Sequence, residues 1–147
     1  MNELQIKDII RGIFKSMASG DNQHLLSFMR EDSLWIAPQG TFKGIAQAGK
    51  YLTWIISSNK DYKITVNGIG IIVQGNTAVS EQELSGIYNG LPWSVQSVCI
   101  WEFKEGKIET LKTVYDVLSQ AQQLAKGGIE KVAVKSITNA SRKGLVV

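Results

Sequence analysis

Tyr115 and Asp116 close a run of strand-forming residues just before a helix-prone stretch, which makes them the chain's leading acid–base candidates. A carboxylate in an apolar pocket has its charged form disfavoured by desolvation, so its pKa climbs toward values useful for proton transfer. At this position Asp116 has a second possible role, capping the following helix through the amides near Leu118 and Ser119. Strand alternation bears on the choice. If Tyr115 shares a pocket-facing side with Thr113 and Leu111, Asp116 faces away unless a bulge intervenes. On the preceding strand, Trp93, Val95, Ser97, Cys99, Trp101 and Phe103 fall on one face. That face is either plain core or the wall of an aromatic pocket with Ser97 and Cys99 as its polar points.

Other chemistries find little support. His24 is the only histidine and lies among residues expected to be exposed. No pair of His, Cys or carboxylate residues has metal-ligand spacing, so no metal is expected. Gly127-Gly128 lacks both the preceding strand and the following lysine of a phosphate-binding loop, and no cofactor is expected. Cys99 is the one cysteine among 147 residues, which rules out an intrachain disulfide and suits a reducing compartment. No apolar run reaches the roughly 20 residues that span a bilayer, and the N-terminus lacks the order of a signal peptide. These features lead us to expect a cytoplasmic protein with no membrane partner.

The formal net charge of +3 is unevenly placed, with five of the 16 basic residues but one of the 13 acids lying from Lys126 onward. These charges alternate with Ile129, Val132, Val134 and Ile137, as on the wet side of an amphipathic helix, so no nucleic acid partner is expected.

The elements that must position these residues read from the N-terminus. Asn2 to Ser19 carries Ile6, Ile9, Ile10, Ile13, Phe14 and Met17 at helical spacing, with an Asn2/Gln5 capping box. Gly20 ends it, and Asp21 caps a short second helix through Phe28. Ser33–Ala37 and Thr41–Lys43 read as short strands around Pro38 and Gly40, and Ile45–Ser58 as a third helix. Asp61–Gln74, Thr77–Tyr88, Leu91–Lys104 and an arm after Gly106 form a meander. Its turns are Gly75-Asn76, Asn89-Gly90 and Lys104–Lys107. The class is α+β, a curved antiparallel sheet around the first helix. After Gly127-Gly128, Ile129, Val132, Ala133 and Ile137 make one more helical stripe, expected to pack on the domain or on a dimer mate. The division is a domain over 1–126 and a helical extension over 127–147.

Several pieces in order carry a family resemblance: Ser19-Gly20-Asp21, Trp35-Ile36-Ala37-Pro38 with Gly40 and Gly44, Phe103–Ile108, and Val114-Tyr115-Asp116. From about Lys7 to Ala125 the chain resembles the nuclear transport factor 2-like superfamily and its SnoaL-like branch, which includes ketosteroid isomerases, polyketide cyclases and limonene-epoxide hydrolases. The resemblance implies a cone-shaped half barrel with a deep apolar pocket for a small hydrophobic molecule, and a homodimer across the open sheet face. It also implies that Trp35 and Trp54, on the first strand and third helix, stand at the pocket mouth. The pocket set is then Trp35, Trp54, Trp93, Ser97, Cys99, Trp101 and Thr113.

The family's catalytic groups do not carry over. The isomerase base falls at Ala37, its oxyanion-hole tyrosine at about Ile13 and its protonated aspartate at about Cys99. The epoxide-hydrolase triad falls at Gln82, Leu84 and Thr113. What the resemblance leaves is a cyclase-like acid at Asp116, with Tyr115, and an isomerase, cyclase or hydratase type of reaction. The alternative is a non-catalytic ligand-binding or dimerisation module.

Overall fold

The structure, a computed structural model, describes residues 1–145. Val146 and Val147, the end of the expected extension, lie outside the described residues. Helix α1 (Glu3–Ser19) begins with the capping box: Gln5 N donates to Asn2 Oδ1 at 2.9 Å and Asn2 N to Gln5 Oε1 at 2.8 Å. Its apolar stripe is the centre of the core, with Ile6, Ile10 and Ile13 fully buried. Burying each such side chain contributes roughly 1.5–3 kcal/mol before ordering entropy is subtracted.

Helix α2 (Asn22–Ser27) follows, then strands β1 (Met29–Ala37) and β2 (Gly40–Lys43) and helix α3 (Gly44–Ser58). The meander is β3 (Lys60–Gln74), β4 (Thr77–Tyr88), β5 (Leu91–Lys104) and β6 (Lys107–Tyr115), and helices α4 (Val117–Leu124) and α5 (Gly128–Ser141) close the chain. β1 starts four residues before Ser33, through the polar run Arg30-Glu31-Asp32, which carries no hydrophobic strand signal. No helix among the described residues is long and apolar enough to cross a membrane.

The six strands form one sheet in the order β2-β1-β6-β5-β4-β3. It is mixed where a wholly antiparallel sheet was expected, because β1 pairs parallel with β6. Hairpin turns dictate antiparallel neighbours within the meander, but β1 reaches β6 from a distant part of the chain and is free of that constraint. Ser33 pins the joint. Its buried hydroxyl donates to the Ile108 carbonyl at 2.6 Å and accepts from Arg30 N at 2.7 Å.

β3 departs from simple alternation. Its register against β4 shifts between Val66 and Ile71, at Gly68 and Gly70. Gly68 has φ +51°, and a Cβ there would meet the Glu81 carboxylate, which accepts from Ile69 N at 2.9 Å. The shift flips the strand's phase. A homodimer across the outer sheet face would take Ile69, Ile71, Val73, Val98 and Ile100 as its apolar patch. The shift instead makes Ile71 and Val73 pair with Ser80 and Ala78 and pack on the core side, while Ile69 and Ile72 are exposed.

α1 packs over β3, α3 over β1 and α4 over β5. α5 rests mainly on α4, with Gln122 Nε2 donating to the buried Thr138 Oγ1 at 2.7 Å. The expected stripe of Ile129, Val132 and Ile137 is not docked on the domain, and Ile129 is 89% exposed. Glu130 Oε2 instead takes the amides of Lys126 and Gly127, fixing the start of α5 so that Val134 and Thr138 turn toward α4. In chemical denaturation, Ile10→Ala should cost about 2–5 kcal/mol, whereas Ile129→Ala should stay within about 0.5 kcal/mol for an isolated subunit.

Candidate functional site

The strand registers stack the inner face of the sheet into rows. One row runs Trp35, Leu111, Trp101, Ala78; the next runs Thr113, Cys99, Ser80; the third runs Tyr115, Ser97, Gln82. Small polar groups thus cross the middle of an otherwise apolar and aromatic surface. Each buried polar atom there needs a partner, and two tryptophans supply donors diagonally. Trp35 Nε1 donates to Thr113 Oγ1 at 3.1 Å and Trp101 Nε1 to Ser80 Oγ at 3.0 Å. Thr113 Oγ1 lies 3.5 Å from Cys99 Sγ, and Gln82 Nε2 reaches Cys99 Sγ at 3.1 Å and Ser97 Oγ at 3.3 Å.

Between this face and the helices lies a cavity of about 260 Å³. It is slightly smaller than the roughly 300–1,000 Å³ of typical ligand pockets. α1 contributes Phe14 and Met17, α3 Tyr51, Trp54 and Ile55, and α4 Gln120 and Leu124. Tyr51 organises one wall, stacked on Phe42 with ring centroids 4.0 Å apart and set edge-on to Trp35 at 5.0 Å. Its hydroxyl donates to Gln39 Oε1 at 2.7 Å, and the Gln39 amide donates to the Tyr115 hydroxyl. Trp54 stands at the rim, 48% exposed. On the far side Trp93 Nε1 donates to Asn59 Oδ1 at 2.9 Å.

Burial sets the electrostatics. It pushes the Tyr51 and Tyr62 phenols well above the usual tyrosine range and raises the Cys99 thiol from 9.0 to about 11. All three are neutral at physiological pH. No Asp, Glu, Lys, Arg or His side chain lines the cavity among the described residues. Nor do three or more His, Cys, Asp or Glu side chains come together there to hold a metal ion.

Of the residues read from sequence, Trp35, Trp54, Trp93, Cys99, Trp101, Thr113 and Tyr115 line the cavity. Ser97 does not; it is buried with its hydroxyl engaged by Gln82. Asp116 is also off the cavity. No bulge interrupts the alternation between Thr113 and Tyr115, so the next residue turns outward, and its exposed carboxylate accepts from Ser119 N at 2.9 Å as the α4 cap. Gln82 and Tyr62 were missed as cavity residues. Gln82 was legible, because the Asn89-Gly90 turn fixes β4 against β5 and places Gln82 opposite Ser97. Tyr62 had no comparable signal, since the phase of β3 changes at its glycines.

Residues 10–110 match the SnoaL-like domain family. The chain belongs to that family. Solved structures agree on the fold of this SnoaL-like domain. TsrD from Streptomyces laurentii superimposes with a TM-score of 0.75 at 19% identity, over 84% of this chain and 97% of that one. A protein from Catenulispora acidiphila with a ketosteroid isomerase-like fold, solved with trimethylamine, gives 0.72 at 15% identity over 78% and 90%. TerC, co-crystallised with polyporic acid, gives 0.71 at 18% identity over 81% and 97%. At these identities the likeness establishes the fold alone. None of the curated proteins compared matches the chain.

Two outcomes follow from this geometry. Asp116→Asn should leave stability unchanged, because Asn caps as well as Asp, while Asp116→Ala should cost about 1 kcal/mol in chemical denaturation. The second concerns alkali. The Cys99 pKa is raised on folding, so its contribution to stability is complete below pH 9.0 and is lost as pH rises toward about 11. Unfolding curves measured across that window should show a shallower alkaline loss for Cys99→Ala than for the native protein.

Proposed function

We propose that this SnoaL-like domain binds one small, neutral, largely apolar cyclic molecule in its cavity and acts as a homodimer, without carboxylate acid–base catalysis. The observation that carries this reading is the absence of any ionised side chain from the cavity wall among the described residues. An ionic ligand would enter uncompensated, at high desolvation cost. Tyr51 and Cys99, with their raised pKa values, hold protons too tightly to serve as bases near neutrality.

An isomerase, cyclase or hydratase activity is the second reading. Tyr115 favours it, since its hydroxyl lines the cavity and is oriented by Gln39. Tyr115 would then act as a proton donor, with no role for Asp116 at the reacting atoms.

The dimer reading rests on the outer face. Ile72, Val79 and Ile100 lie in one cross-strand row, with Val98 beside Val114, and Val114 is 59% exposed. Rows of this kind expose an apolar patch that a second copy would cover. Residues 127–147 are then an arm appended to the 1–126 domain, its Ile129, Val132 and Ile137 stripe free to meet the mate.

Native mass spectrometry of freshly purified protein should show a dimer of 16.2 kDa chains, with any co-purified molecule neutral. Calorimetry should then find naphthalene bound at least about tenfold more tightly than 2-naphthoate or tetramethylammonium, the desolvation cost of the charge setting the gap. Tighter binding of either ion would overturn the neutral-ligand reading, and a monomer at micromolar concentration would overturn the dimer.

A further inference from the structure

Gln82 is fully buried in the middle of the sheet's inner face, and it forms part of the cavity wall. Its Nε2 is engaged twice, to Ser97 Oγ and Cys99 Sγ, but its Oε1 has no hydrogen-bond partner. Buried side-chain oxygens are normally paired, and one left unpaired destabilises the protein by its lost hydration.

A short polar network leads from Trp35 to the Gln82 amide. An indole N–H can only donate, so Thr113 Oγ1 accepts from Trp35. Thr113 Oγ1 also lies 3.5 Å from Cys99 Sγ, and either atom can be the donor of that pair. Gln82 Nε2 lies 3.1 Å from the same sulfur and donates to it. The amide nitrogen thus spends its protons on Ser97 and Cys99, leaving a lone acceptor at a cavity that offers no charge.

We infer that Gln82 Oε1 is the recognition point of this cavity, and that the ligand is a flat neutral ring carrying one O–H or N–H donor, as in a phenol, an enol or a ring N–H. The ring lies against the aromatic wall formed by Trp35, Trp93, Trp101 and Tyr62, and the donor points at Gln82. This specificity rests on the neutral-ligand reading above and sharpens it from any apolar ring to a ring with a donor.

Indole and benzofuran test it, since the two rings share one shape and differ in carrying an N–H donor or a bare oxygen. Calorimetry on the full chain should find indole bound about tenfold more tightly than benzofuran. Gln82→Met, which keeps the side chain's length but removes the acceptor, should bring the two affinities within about twofold while naphthalene still binds. The comparison on the native protein holds even where the variant does not fold. Equal affinities on the native protein, or a preference that survives in a folded Gln82→Met, would overturn the inference. Naphthalene binding in the same experiments would show that the neutral-ligand reading survives that failure. If naphthalene, indole and benzofuran all fail to bind, both readings fall together.

Discussion

Side chains on a strand alternate between the two faces of the sheet, and this two-residue period governs nearly everything in the protein. It places Leu111, Thr113 and Tyr115 inside and sends Asp116 out to cap α4. It brings Trp101, Cys99 and Ser97 into rows with Ala78, Ser80 and Gln82 on the neighbouring strand. Once those rows exist, the buried polar groups within them pair with one another, Gln82 Oε1 excepted. The tryptophan indoles do this while also supplying the aromatic wall. One period therefore determines both the shape of the cavity and its neutrality.

One lapse in that period, in the edge strand β3, is equally informative. At Gly68 and Gly70 the phase of β3 changes, and Glu81 ties the bulge through the Ile69 amide. The change bends the edge of the sheet and trades Ile71 and Val73 into the core for Ile69 and Ile72 outside. Without it the outer face would carry a different apolar patch, and Ile71 and Val73 would not reach the core.

Where a single strong local signal existed, the sequence was a sufficient guide. The Asn2/Gln5 capping box, the bounds of β4 and β5 on either side of Asn89-Gly90, and the aromatic face of β5 all follow from short-range chemistry. Relations that depend on distant partners were not legible. β1 lies parallel to β6 with the Ser33 hydroxyl bonded to a carbonyl 75 residues away, and Thr138 on α5 meets Gln122 on α4. The stripe of Ile129, Val132 and Ile137 has helical spacing, but spacing alone names no partner surface. The cavity followed the same rule. Residues on β5 and β6 were identified from alternation, whereas Gln82 became visible only once the hairpin register joined β4 to β5.

The central claim is that nothing facing the cavity changes charge near neutral pH. The most direct measurement is the affinity of naphthalene, which has no titrating group of its own, from about pH 5 to about pH 9, the range in which a histidine or a perturbed carboxylate would titrate. A flat profile is the predicted result. A sigmoidal or bell-shaped profile with a midpoint inside that range, on protein that remains folded throughout, would mean that an ionisable group meets the ligand and would contradict the account.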